Sequence, residues 1–424
     1  MILVITFLIC LVMGVPIMAA IGMACIVPML IDGKIPLTMI AQTLYTGVDQ
    51  IPLIAVTGFI LAGTLMEKGG ITDKILEFSS RLVGSLTGGL AFVTILGCMV
   101  FSAISGSGPA TVAAIGGIML PGMVQRGYSR DFSAAVASSG GTMGILIPPS
   151  NPMIIFGVVA NVSITKLFMA GLIPGAMVGL FMMAAAYLVS SRKGFVGSGE
   201  AFSPGLLLRA IWDGKWALAA PVLILGGIYA GIFTPVEAAE VAVVYAVFVG
   251  VVVYRRLNLR MIYDALVHAS LITGTIIVIV GIALSFGRLL TLYRVPYHVA
   301  MWLSNVSQDP VVVLFIIVGL LIFIGTFMET LAQIIVLTPV FLPLIKQLGI
   351  DPIHFGIIFV ICCEIGFLTP PLGANLYVAV KMSDVSLEQI SIAVIPFLLA
   401  LLVSVVLIVF FPQIVLFIPN LLTR

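Results

Sequence analysis

The residues of this chain best suited to chemistry are small and oxygen-bearing, and they fall into two sets. The first is Ser105-Gly106-Ser107-Gly108-Pro109-Ala110-Thr111, three hydroxyls among residues that bend a backbone, followed later by Ile147, Pro148, Pro149, Ser150 and Asn151. The second is Gly325, Thr326, Met328 and Glu329, followed by Gly366, Thr369, Pro370, Gly373 and Asn375. Proline has no amide hydrogen and interrupts a helix, so carbonyls around each Pro-Pro pair lose their intrahelical partners. Freed carbonyls, hydroxyls and side-chain amides form an oxygen-only donor set that suits a hard cation. The preference is established for Ca²⁺ and Mg²⁺, and unwound carbonyls coordinate Na⁺ in transporters. Both sets are therefore candidate Na⁺ sites; no metal other than Na⁺ is indicated. Ser107, Asn151, Glu329 and Asn375 are also candidates to contact an anionic substrate, as is Arg288 at the end of the apolar run 264–287.

Each of these residues has a plainer role to set beside the chemical one. Ser and Gly also let membrane helices approach closely. Glu329 and Glu364 stand in apolar surroundings, where a carboxylate is costly and by default points to function. For Glu329 an ion or substrate role competes with a structural hydrogen bond; for Glu364, before the second break, the structural role is favoured. Arg288 could snorkel to the headgroups instead. Glu237 and Glu240 follow Thr234-Pro235, where acid complements a helix N-terminus. The three histidines and five cysteines show no metal-ligand or CxxC spacing. The cysteines read as small core hydrophobes.

The elements that would position these residues repeat. Gly144-Ile-Leu-Ile-Pro-Pro149 and Gly366-Phe-Leu-Thr-Pro-Pro371 stand 222 residues apart, as do Pro121 and Pro343, Gln125 and Gln347, and Gly127 and Gly349. Asn375 lies two residues past the strict match of Asn151. Residues 88–124 read as two short apolar arms around a polar, Gly-rich centre, which predicts a re-entrant hairpin. The offset places its partner at 310–346. Each hairpin is followed by a predicted broken helix, 131–160 and 353–382. The chain divides accordingly into a first repeat, 1–210, and a second, 211–424. Two matching breaks in the two halves are the best sequence pointer to a transporter binding site.

The surrounding solvent must be a bilayer. Of 424 residues, 61% are hydrophobic and only 8% charged, against about 25% charged in soluble domains. A net charge of +2 gives no reason to expect nucleic acid. The apolar start lacks the basic region of a cleaved signal peptide. A spanning helix needs about 20 apolar residues. Candidates are 51–67, 168–190, 216–233, 236–254, 264–287 and 390–418, with 1–31 as one kinked span or a short pair split at Gly14-Val15-Pro16. Residues 71–86 and 294–306 are amphipathic and predict helices lying at the interface. Arg126, Arg130, Arg192, Lys193, Arg209, Lys215, Arg255, Arg256 and Arg260 fall on one side by span count, which is assigned to the cytoplasm. The two hairpins then enter from opposite faces, as inverted repeats. Merging or splitting one span would make them parallel.

Three segments carry a family resemblance: Ser105–Thr111, Gly144-Ile-Leu-Ile-Pro-Pro-Ser-Asn-Pro152 and Gly366-Phe-Leu-Thr-Pro-Pro-Leu-Gly-Ala-Asn375. At these residues the chain resembles the large membrane subunit of tripartite ATP-independent periplasmic (TRAP) transporters, with no departure inside the motifs. The resemblance implies an all-α polytopic membrane protein of elevator type, with a transport domain moving across a scaffold. It implies Na⁺-driven import of an organic acid, a C4-dicarboxylate, sialic acid or similar carboxylate, across the bacterial inner membrane. It also implies two partners, a small membrane subunit and a periplasmic substrate-binding protein. A passive channel, a stand-alone divalent-anion/Na⁺ symporter and an intramembrane serine protease are the rival readings. The protease is the weakest, because a nucleophilic Ser107 needs a base within reach and only His268 lies near membrane depth. The topology is testable by labelling single cysteines with a membrane-impermeant maleimide. Cysteines introduced at Arg192 and Arg260 are expected to react only from the cytoplasmic face, and labelling of the two from opposite faces overturns the assignment.

Overall fold

Proline and glycine cut this apolar chain into helices of unequal length. The computed structural model describes residues 2–33, 35–197, 199 and 202–422, with the side chains of 303 and 304 outside that description. Among the described residues every regular element is a helix. Five helical stretches are long and apolar enough to cross a bilayer, and three bent pairs qualify when each pair is taken together.

Both hairpins form. The first has one arm at Gly89–Ser105, a two-residue tip, and a return arm that runs from Gly108–Thr111 through a π-helical turn, Val112–Gly116, into Gly117–Gln125. The second has arms Pro310–Gly325 and Thr330–Gln347. Both broken helices form as well. The first runs Arg130–Gly141 and Met143–Leu146, opens at 147–150, and resumes as Asn151–Ala160. The second runs Pro352–Phe367, opens at 368–373, and resumes as Ala374–Ser383. Pro148-Pro149 and Pro370-Pro371 are both cis. Helix starts are capped where the sequence supplies an oxygen: Ser150 accepts from Met153 N, Asp309 from Val311 N and Asp351 from Ile353 N. Such caps are typically worth about 1 kcal/mol each.

The halves of each broken helix pack in different places. Helix Asn151–Ala160 lies against the second hairpin's arm Thr330–Gln347. Its counterpart, Ala374–Ser383, lies against Arg130–Gly141 and the π turn of the first hairpin. Each repeat thus covers the far half of the other's broken helix.

A second group of helices surrounds this interlocked body. Helix Pro52–Lys68 packs along Pro235–Phe248 through small residues, and an added Cβ at Gly58 would sit 2.8 Å from Ala239 Cβ. Such contacts suit membrane helices, where close approach replaces the hydrophobic effect as the driving force. Helix Leu259–Leu292 packs on Ile17–Asp32, Thr38–Val48, Pro52–Lys68 and the hairpin arm Thr330–Gln347. It therefore connects the outer group to the inner one. The amphipathic helices appear at Ile71–Val83 and Val295–Val306. The first is tied to the outer group by an ion pair between Asp73 and Arg256.

The structure corrects three spans. Residues 390–418 are not continuous: Leu387–Ala393 meets Ile395–Phe410 at 50°, and the chain breaks again before Gln413–Leu422. Pro396 and Pro412 supply the physical reason, since each lacks a donor for the preceding turn. Span 51–67 is joined at 56° to an additional helix, Thr38–Val48, and 216–233 is joined at 67° to Pro204–Asp213. The N-terminal run, described from Ile2, is the short pair: Ile2–Val12 and Ile17–Asp32 pack together, separated at Gly14–Pro16.

Gly366 marks a close backbone-to-backbone contact in the second half. An added Cβ there would sit 2.5 Å from the Gly325 carbonyl oxygen and 2.7 Å from its Cα. Neither backbone can yield cheaply, so Gly366→Ala is expected to destabilise by about 1–3 kcal/mol. Gly122→Ala adds a methyl that meets nothing within 4 Å and is expected to be neutral or mildly stabilising. Thermal unfolding of the two variants in one detergent checks this, and equal midpoints overturn it.

Candidate functional site

The two hairpin tips are each stitched to the neighbouring break through the backbone. At the first, Asn151 N donates to the Gly106 carbonyl at 3.4 Å. At the second, Leu372 N donates to the Thr326 carbonyl at 2.8 Å. Gly106 adopts φ 62°, a left-handed conformation that suits glycine. Ser107 is extended, at φ −142° and ψ 128°, so the chain reverses within two residues.

Around the first tip the oxygens crowd. Ser105 Oγ and Thr111 Oγ1 are 2.8 Å apart, and Thr111 also donates to the Ser107 carbonyl at 2.9 Å. Gly144 closes on the same point, where an added Cβ would lie 2.6 Å from Thr111 Oγ1. At Gly106 an added Cβ would lie 3.1 Å from the Pro149 carbonyl oxygen and 3.5 Å from the Asn151 amide nitrogen. The Asn151 side-chain oxygen is buried and has no hydrogen-bond partner. An orphaned buried acceptor beside clustered carbonyls and hydroxyls fits the donor set of a hard cation. Ile147 and Pro148 stand behind the tip against Gly175 and Gly171 of helix Ile164–Lys193, and Ser150 is engaged in capping.

The second tip differs in its side chains. The Glu329 carboxylate accepts from Leu331 N at 2.9 Å and Ala332 N at 3.2 Å, capping the return arm. Thr326 donates to the Phe323 carbonyl at 2.8 Å, and Thr369 to the Ile365 carbonyl at 2.7 Å. Gly325 and Gly366 are in backbone contact, Met328 is buried, and Gly373 caps helix Ala374–Ser383 at φ 38°. Pro370 lies in the opened segment. The Asn375 amide lies beside Gly108 of the first hairpin, where an added Cβ would be 3.0 Å from its Oδ1.

A cavity of about 900 Å³ joins the two sets. Ser105, Gly106, Ser107, Asn151, Glu329 and Thr330 line it from the inner body. The opposite wall comes from the outer helices: Thr64, Glu67 and Lys68 of Pro52–Lys68, and Asp264, His268 and Thr275 of Leu259–Leu292. Arg288 is exposed and does not line the cavity. The wall residues were outside the predicted set. Asp264 and His268 carry the one available sequence signal, two polar residues four apart, hence on one face of an apolar helix.

The helices Asn151–Ala160 and Thr330–Gln347 both present their N-termini to the cavity through Asn151 and Thr330. Their dipoles favour an anion, while Gly106 and Ser150 at the first helix and Glu329 at the second already accept from first-turn amides. One chamber thus combines oxygen clusters suited to cations with helix starts suited to a carboxylate. It lies between two bodies of packed helices.

Comparison with known proteins agrees with this architecture. Residues 4–414 match the family model described as tripartite ATP-independent periplasmic transporter, DctM component. The isethionate TRAP transporter permease protein DctMQ of Oleidesulfovibrio alaskensis is 44% identical over 95% of this chain, which spans 63% of that protein's length. The C4-dicarboxylate TRAP transporter large permease protein DctM of Pseudomonas aeruginosa is 39% identical over 90% of this chain and 89% of its own. The sialic acid large permease protein SiaM of Vibrio cholerae is 36% identical over 90% and 89%. Among solved structures, the YdaH transporter of Alcanivorax borkumensis matches with a TM-score of 0.63 at 17% identity, covering 89% of this chain and 88% of that one. That likeness concerns the fold alone. These relatives are transporter permeases and not proteases, and the chain belongs to the DctM family of tripartite ATP-independent periplasmic transporters.

Proposed function

We propose that this permease takes up an organic acid across the bacterial inner membrane, driven by Na⁺, by an elevator movement. The observation that carries the reading is the cavity between the two bodies, with both hairpin tips on one wall and the scaffold helices on the other. The transport domain comprises both hairpins and both broken helices, drawn from repeats 1–210 and 211–424. The scaffold comprises 1–67, 168–287 and 390–418. The amphipathic arms link the two.

Na⁺ is held at each tip–break junction. At the first, the ligands are oxygens of Ser105, Gly106, Ser107, Thr111 and Asn151 with the carbonyls at 147–149. At the second they come from Gly325, Thr326, Met328, Glu329, Gly366, Thr369 and Pro370. Bound Na⁺ supplies positive charge beside the cavity. Ser107, Asn151 and Thr330 then meet the substrate's carboxylate with hydroxyl, amide and helix-start donors. Charge compensation matters because an ion taken from water into a poorly solvating interior is penalised by several kcal/mol. The relatives named above take isethionate, C4-dicarboxylates and sialic acid, which supports a small organic anion here. A small membrane subunit and a periplasmic binding protein complete the assembly.

The test is uptake into proteoliposomes holding all three components. Saturable uptake against a gradient, dependent on inward Na⁺, is expected. Uptake indifferent to Na⁺ sinks the coupling, and unsaturable downhill flux favours a channel. Ser107→Ala and Asn151→Ala are each expected to raise the half-saturating Na⁺ concentration about tenfold, equivalent to about 1.4 kcal/mol. An unchanged Na⁺ requirement removes the residue from the site.

A further inference from the structure

Beyond the residues assigned to the two tip–break junctions, one buried carboxylate has no hydrogen-bond partner. Glu364, on the helix before the second break, is 1% exposed, and neither of its carboxylate oxygens has a hydrogen bond. Asn375, on the helix after that break, is fully buried, and neither atom of its amide has a hydrogen bond. The two side chains are neighbours within interaction range, yet they miss hydrogen-bond geometry with each other. Four buried polar atoms in one place are therefore orphaned, whereas native interiors satisfy nearly all such groups.

The surroundings add oxygen and exclude bulk. A Cβ added at Gly108 would sit 3.0 Å from Asn375 Oδ1 and 3.3 Å from the Gly141 carbonyl oxygen. Gly108 of the first hairpin and Gly141 of the first broken helix thus lie close to Asn375. The orphaned atoms of Glu364 and Asn375 include three oxygens, two of them on the carboxylate. A buried charge is tolerated when it is paired or bound to a cation.

We propose that Glu364 and Asn375 form a third Na⁺ site between the repeats, with ligands that none of the residues at the two tip–break junctions supplies. Its ligands are Glu364 Oε1 and Oε2 and Asn375 Oδ1, with the Gly141 carbonyl beside them. The site would clamp the second break onto the first hairpin through a shared ion. It rests on the Na⁺-coupled reading above.

Equilibrium dialysis with radioactive sodium, on the purified chain co-expressed with its membrane partner, counts ions directly. The parent is expected to bind three Na⁺ per chain and Glu364→Gln two. The exchange variant E364Q/N375D returns a carboxylate to the pair and is expected to regain the third ion. It also decides the case if Glu364→Gln alone fails to yield a monodisperse protein. A Glu364→Gln protein with the parent's full count overturns the proposal and leaves Na⁺ coupling standing, as does an exchange variant that folds without regaining the ion. A parent that binds no Na⁺ overturns the coupling itself.

Discussion

A backbone opened at membrane depth must find partners inside the protein. That constraint organises this permease. Hydrocarbon offers no hydrogen bonds, so each Pro-Pro break is viable only where other chain segments meet its freed groups. The hairpin tips do this, through Asn151 N to Gly106 and Leu372 N to Thr326. Tip and break are thus parts of one unit, and glycine at 366 and 144 brings them together without intervening side chains. The oxygen clusters follow from the same opening, because it frees carbonyls from helix bonds.

The repeated architecture is nevertheless chemically unequal. The first tip gathers hydroxyls, with Ser105 and Thr111 in direct contact. The second tip uses a carboxylate that caps its own helix. Asn151 faces the shared cavity, whereas Asn375, displaced by two residues in the alignment of halves, faces the other repeat. A pair of equivalent backbones therefore frames one chemically asymmetric chamber.

Hairpins and breaks were legible because proline and glycine act locally, and because a match at a distance of 222 residues doubles a weak signal. Helices Ile71–Val83 and Val295–Val306 were legible from their amphipathic pattern. Three bends were not: Thr38–Val48, Pro204–Asp213 and Leu387–Ala393 are short and join longer apolar runs at angles that hydropathy does not register. Pro412 was overlooked because apolar residues continue on both sides of it. The outer-helix wall of the cavity was also missed. Asp264 and His268 are unremarkable beside a charged loop until tertiary packing turns their helix towards the tips. The direction in which Asn375 points depends on the crossing of the two repeats, which no local pattern encodes.

The exchange of half-helices between repeats has a consequence for biogenesis. Ile154, Ile155 and Phe156 are fully buried in the finished protein, and the arm Thr330–Gln347 packs along their helix. A ribosome makes that arm long after helix Asn151–Ala160 has been delivered to the membrane. Until then the first repeat must hold an open break whose far half lacks its final cover. Completion of the interlocked body is consequently a late, post-insertion event, and a chain truncated after the first repeat would enter the bilayer without ever acquiring the surface that covers its own broken helix.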